Sequence, residues 1–242
     1  MLKQRIITAV LLLPLVGCLL FLPDLLTFSA ILVPIFGILV WEWSRLLQTG
    51  KAGQSVFIVL SLAAVGGLFY QLYQQDFFSE ASLPLLWYDA YPFKLLIVAL
   101  LVWVVASIFV LLYPKTTKTL FRGPWLRGLL GIVILAAAWL AIVVIRSLLI
   151  NVDYTLGAWM LLLMLVIIWG ADVGAYFAGK TWGKTKLAPV VSPNKTWEGA
   201  LGGLVLAVAV GMAVASLLSL ELDWLKFTVF VIVMVVLSVF GD

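Results

Sequence analysis

Residues 169–199 carry the side chains in this chain whose types and spacing point to chemistry. Asp172, Tyr176 and Gly179 recur at i, i+4 and i+7, so a helix places all three on one face. After them come Lys184, Lys186, Ser192, Lys195, Thr196 and Glu198, with glycines at 179, 183 and 199. Asp172 sits inside an apolar run, where a charge is costly and is retained mainly for binding or catalysis. A structural ion pair is the plain alternative. The lysines supply point charges, and the glycines let backbone N–H groups approach an anion. Ser192-Pro-Asn-Lys195-Thr196 can turn and cap the next helix, whose positive N-terminal end would then face the site. Together these groups indicate phosphate chemistry.

Several other chemistries are excluded. The chain has no histidine and a single cysteine, Cys18, so it has no His general base, Ser-His-Asp triad, HExxH zinc site or internal disulfide. Gly179-Lys-Thr-Trp-Gly183-Lys184-Thr185 imitates a P-loop but has three residues between its glycines where that motif has four. It also follows an apolar helix, not a strand, so a P-loop NTPase is rejected.

The elements that must position these residues are membrane helices. Of 242 residues, 65% are hydrophobic and 11% charged, with a mean hydropathy of +1.22; a soluble domain is about half apolar and a quarter charged. Apolar runs near the length of a bilayer crossing fall at about 6–22, 25–41, 56–73, 95–113, 128–145, 155–178, 200–220 and 225–240. The expectation is an all-α polytopic membrane protein of about eight helices forming one transmembrane domain over 1–242. Residues 1–127 form its N-terminal helices, and 128–242 a catalytic half with the loop 179–198. Lys3, Arg5 and the run to Leu15-Val-Gly-Cys18 resemble a lipoprotein signal, but the run stays apolar through Leu22, so the segment is read as a retained helix.

Charge sets the orientation. With a cytoplasmic N-terminus and alternating helices, all of the 15 basic residues except Lys94, Arg146 and Lys226 fall in inner segments, including 114–127 and 179–198. The net charge of +4 thus reports topology and anionic headgroups, not nucleic acid. Trp41-Glu-Trp43 reads as an interfacial anchor. Gly170, Gly174 and Ala178, like Gly199, Gly203, Ala207, Gly211 and Ala215, recur every four residues and predict two closely packed helices.

The run Asp172-x-x-x-Tyr176-x-x-Gly179 followed by Gly183-Lys184-x-Lys186-Leu187-x-Pro189-x-x-Ser192-Pro193-x-Lys195-Thr196-x-Glu198-Gly199 resembles the bacterial phosphatidate cytidylyltransferases (CDP-diacylglycerol synthases). The resemblance extends over the whole chain. It implies transfer of CMP from CTP to phosphatidate, giving CDP-diacylglycerol and pyrophosphate, with Mg²⁺ and an active site on the cytoplasmic face of the inner membrane. Under it Asp172, Lys195 and Ser192 are catalytic, and Tyr176, Lys184, Lys186, Thr196 and Glu198 bind substrate. Asp242 matches the family's Gly-Asp pair and is the candidate metal ligand. The implied partners are CTP, phosphatidate, membrane lipids and a second copy of the chain. The family's further signature, a Ser-x-x-Lys-Arg run, a Lys-Asp, a His-Gly-Gly and an Asp-Arg-x-Asp, does not follow Gly241-Asp242. The expectation is therefore a longer natural chain, and little turnover by these 242 residues alone. Two other classes are set against the enzyme: an ion-coupled transporter using Asp172, and a non-catalytic lipid-binding protein.

Overall fold

The computed structural model describes residues 2–78, 91–111, 123–148, 153–190, 192–218 and 222–241. Among these, eight helices follow one another: α1 (Leu2–Phe21), α2 (Leu25–Leu46), α3 (Lys51–Gln74), α4 (Tyr91–Leu111), α5 (Pro124–Ser147), α6 (Leu156–Trp182), α7 (Trp197–Leu217) and α8 (Trp224–Gly241). The all-α, multi-pass expectation is borne out. Six of the helices, α2, α3 and α5–α8, have the length and hydropathy of membrane spans, and shorter apolar stretches lie at Leu12–Phe21 and Phe93–Phe109. The exception to all-helix is small: β1 (Lys186–Ala188) and β2 (Ser192–Thr196) pair as an antiparallel hairpin between α6 and α7.

The chain divides into two compact units, with a boundary at Leu161/Leu162. Position 127/128 lies within the first unit, where α5 packs with α2 and α3. Burial in this unit follows helical spacing. Helices α2, α3 and α5 pack on one another, and their buried residues include Phe28, Leu32, Phe36 and Val40 of α2, Phe57, Ser61 and Val65 of α3, and Trp139, Leu140 and Val143 of α5. The buried serines of α2 and α3 bond within their own helices, as where Ser29 donates to the Leu25 carbonyl at 2.7 Å and Ser61 to that of Phe57 at 2.8 Å. Outward-facing side chains remain apolar, among them Ile38, Val59 and Leu60, as lipid contact requires.

Two sequence readings gain structural detail here. Trp43 is more than an anchor: its indole N–H donates to the Arg127 carbonyl at 3.1 Å, and Gly131 leaves room for the ring. Glu42 forms a surface pair with Arg45 at 3.5 Å. Arg146, an exception to the charge bias, is fully buried. Its guanidinium donates to the carbonyls of Leu20 at 3.0 Å, Tyr154 at 3.0 Å and Pro23 at 3.5 Å, and lies 4.7 Å from the Tyr154 ring centroid. It therefore staples the α1–α2 turn to the end of α5, and is not a loop cation of the kind the charge rule counts. Arg146→Met is expected to destabilise the protein by about 2–4 kcal/mol, because buried carbonyls lose a charged donor. Thermal unfolding in detergent checks this.

The second unit takes in the end of α4 from Ser107, the rest of α6, the hairpin, α7 and α8. Its core gathers Leu163, Ile167 and Ala171 of α6, Ala207 and Ala215 of α7, and Phe227, Val231 and Val235 of α8. The small-residue stripes behave as predicted. A Cβ built on Gly174 would lie 2.5 Å from the Gly202 carbonyl oxygen, and one on Gly203 would lie 2.7 Å from that of Ala171. Helices α6 and α7 thus touch backbone to backbone, and this brings the start of α7 beside the polar face of α6.

Candidate active site

Helix α6 runs on to Trp182, so Gly179 and Lys180 are helical and the predicted loop begins later. The chain leaves the helix at Gly183, where a side chain would strike the Gly179 carbonyl and approach Thr196 Oγ1 to 2.9 Å. It then enters the hairpin, in which Lys186 pairs with Thr196 and Ala188 with Ser192, with an irregularity between. Ser192–Thr196 is therefore a strand, and its last residue caps the helix that follows. Thr196 is buried, with extended backbone at φ −127° and ψ 154°, and its Oγ1 accepts from the Gly199 N–H at 3.1 Å. Gly199 permits this arrangement, since a Cβ there would meet Thr196 Oγ1 at 3.0 Å and the Ala175 carbonyl at 3.1 Å.

These elements enclose a cavity of about 370 Å³, in the range of small-molecule sites (roughly 300–1,000 Å³). Helix α6 contributes Asp172, Tyr176 and Gly179; the hairpin contributes Leu187, Ser192, Asn194, Lys195 and Thr196; α8 adds Val235, Ser238 and Val239. Five of the candidate residues, Asp172, Tyr176, Ser192, Lys195 and Thr196, thus line one space. The half-buried Lys195 reaches across it to donate to the Val239 carbonyl at 3.2 Å, in the last turn of α8. Such terminal carbonyls lack intrahelical partners, which makes them natural sites for a cation. Tyr176 is partly exposed, and the Lys180 ammonium lies 5.7 Å from its ring centroid.

Three candidates lie elsewhere. Lys184, Lys186 and Glu198 are not among the lining residues. Lys184 and Lys186 are exposed. Glu198 faces the segment that precedes β1: its carboxylate accepts from the Lys184 N–H at 3.2 Å and from the Thr185 N–H at 3.1 Å. Asp242 lies outside the described residues.

Sequence reasoning did not reach Asn194 and Ser238. Asn194 stood inside the quoted motif without a role. Ser238 is one hydroxyl in an apolar helix, and such a residue more often bonds to its own preceding turn. Its place beside Asp172 and Lys195 depends on how α8 packs against α7.

The chemistry of the cavity is that of an anion site at a membrane surface. A lysine, hydroxyls and the capped N-terminus of a helix face a space that also includes the Asp172 carboxylate, in a multi-pass membrane protein. A family model describing the cytidylyltransferase family matches residues 3–242, and the chain belongs to that family. It is 35% identical over 208 residues to the phosphatidate cytidylyltransferase of Pseudomonas aeruginosa, a match covering 84% of this chain and 67% of that protein. The phosphatidate cytidylyltransferase of Haemophilus influenzae is 33% identical over 86% of this chain and 70% of its own length. That of Helicobacter pylori is 30% identical over 99% of this chain and 75% of its own. No solved structure matches the chain.

Proposed function

We propose that the protein transfers CMP from CTP to phosphatidate, giving CDP-diacylglycerol and pyrophosphate. The observation that carries this reading is the gathering of Asp172, Tyr176, Ser192, Lys195 and Thr196 around one cavity in a chain that belongs to the cytidylyltransferase family. Neither a transporter nor a passive lipid-binding protein accounts for both facts.

In the reaction, a phosphate oxygen of phosphatidate attacks the α-phosphorus of CTP. The bond from that phosphorus to the oxygen bridging to the β-phosphate breaks, and pyrophosphate leaves with the electron pair. Little covalent work falls to the protein; positioning and charge neutralisation dominate. Lys195 lines the cavity and takes phosphate oxygens, leaving the Val239 carbonyl as they arrive. The Ser192 hydroxyl donates to phosphate, while Thr196 is committed to capping α7, whose N-terminal dipole faces the same space. Asp172 orients the cationic groups. The acyl chains remain in lipid, so that the headgroup alone enters the cavity.

Mg²⁺ is the implied cofactor. Among the described residues, no three His, Cys, Asp or Glu side chains come together, so no all-protein cage for an ion is present. The cavity does offer the oxygens of Asp172, Ser192 and Asn194. That set fits Mg²⁺, which is commonly held by one or two carboxylates together with substrate phosphates. When bound, the ion would neutralise polyphosphate charge beside Asp172.

The test is conversion of radiolabelled CTP and phosphatidate by membranes containing the protein. CDP-diacylglycerol should form only with both substrates, and its absence would remove the assignment. We further propose that the site faces the cytoplasm from a bacterial inner membrane, as the bias of basic residues toward inner segments supports. In a Cys18→Ser background, Thr185→Cys should resist an impermeant thiol reagent in intact cells, and Gln75→Cys should be labelled. Ready labelling at position 185 would overturn the orientation.

A further inference from the structure

We propose that Glu198 is a positioning residue. It fastens the segment from Gly183 to Lys186 against the start of α7, and so presents Lys184 and Lys186 to the polyphosphate of the nucleotide without touching it. This rests on the reading of the cavity as a CTP site. The geometry is specific. One carboxylate oxygen of Glu198 accepts from Thr185 N–H at 3.1 Å; the other accepts from Lys184 N–H and Thr185 N–H, each at 3.2 Å. Beside it the Trp197 N–H donates to the Thr185 carbonyl at 3.0 Å. The segment is therefore held by the first two residues of α7, largely through its main-chain N–H and carbonyl groups.

Two physical arguments set the Glu198 carboxylate apart from the polyphosphate. Its carboxylate is ionised at neutral pH, and a polyphosphate brought to it would meet a like charge. Both of its oxygens are also occupied by backbone donors, and charge-assisted bonds of this kind are the stronger class. What the carboxylate does control is the exit of the chain from α6. Gly183 packs against Gly179 and Thr196, which both line the cavity, and Leu187, one residue past Lys186, is itself part of the lining. Releasing Lys184 and Thr185 would free the lysines at 184 and 186 and shift one wall of the cavity, leaving Lys195 and Asp172 in place.

The experiment uses Glu198→Ala and Glu198→Gln, alone and combined with Lys184→Ala/Lys186→Ala, in the detergent-purified protein. Three readouts are taken: hydrogen exchange over residues 183–187, equilibrium binding of CTP and of pyrophosphate, and steady-state kinetics. Glu198→Ala should accelerate exchange in the segment and weaken CTP and pyrophosphate binding about tenfold, the scale of one lost charge-assisted hydrogen bond. KM for CTP should rise in step, while kcat at saturating CTP and KM for phosphatidate stay within about twofold. Glu198→Gln, which keeps an acceptor oxygen, should recover part of the loss. In the lysine-less background the Glu198→Ala effect on binding should fall below about twofold, since residues acting through one another are not additive. Undiminished loss in that background, or unchanged exchange over 183–187, would overturn the proposal. If the wild-type protein binds CTP but makes no CDP-diacylglycerol, the assigned reaction fails while the exchange and binding arms still decide the role of Glu198.

Discussion

Gly174→Val is expected to unfold the second unit or leave it too loosely packed to purify. The position has no room. A Cβ would lie 2.5 Å from the Gly202 carbonyl oxygen and 2.9 Å from Leu206 Cβ, and the first of these atoms is backbone that cannot rotate away. Either α7 retreats along the whole of its contact with α6 or the new side chain is crushed. Overpacking of an ordinary core costs about 1–3 kcal/mol, and a bulky group wedged between two backbones belongs at or above the upper end. The loss should appear as a large fall in the thermal midpoint and as aggregation on size exclusion, with activity lost in parallel. Gly66→Val on α3 is the control: no atom comes within 4 Å of a Cβ there, so stability should hold. A Gly174 variant as stable as wild type would mean that the backbones do not approach this closely.

Lys195→Ala should have the opposite profile, with the fold kept and turnover lost. Loss of the 3.2 Å bond to the Val239 carbonyl should cost stability only about 1–3 kcal/mol. Rate should suffer far more. Removing one preorganised donor to developing charge costs roughly 10²–10³ in kcat. Lys195→Arg should restore charge without restoring geometry, because a planar guanidinium does not replace a compact ammonium. Lys226→Ala, at an exposed pair with Asp223 outside the cavity, should leave turnover unchanged. Wild-type turnover by the Lys195 variant would remove this residue from the reaction.

Much of this protein is legible without coordinates, because the signals are local. Hydropathy over some twenty residues depends on no distant contact, and it located the eight helices seen among the described residues. Four-residue spacing of glycines and alanines is likewise a property of one helix face, and it anticipated the close seating of α6 on α7. The types and order of Asp172, Tyr176, Ser192, Lys195 and Thr196 marked the residues that meet around one cavity, since side chains able to bind phosphate are conspicuous in an apolar chain.

Tertiary structure decided the rest. Pairing of Lys186 with Thr196 turns the presumed loop into a hairpin, and strand pairing across a turn is not visible in the composition of either strand. Asn194 and Ser238 became lining residues, and Lys184, Lys186 and Glu198 fell outside the lining, because a cavity is defined by surfaces brought together from separate parts of the chain. Arg146 shows the same point. As a letter it is a basic residue on the wrong side of a charge count; in the fold it is a buried cation on three backbone carbonyls. Sequence specifies which groups are available, and packing of helices far apart in the chain determines which of them face one another.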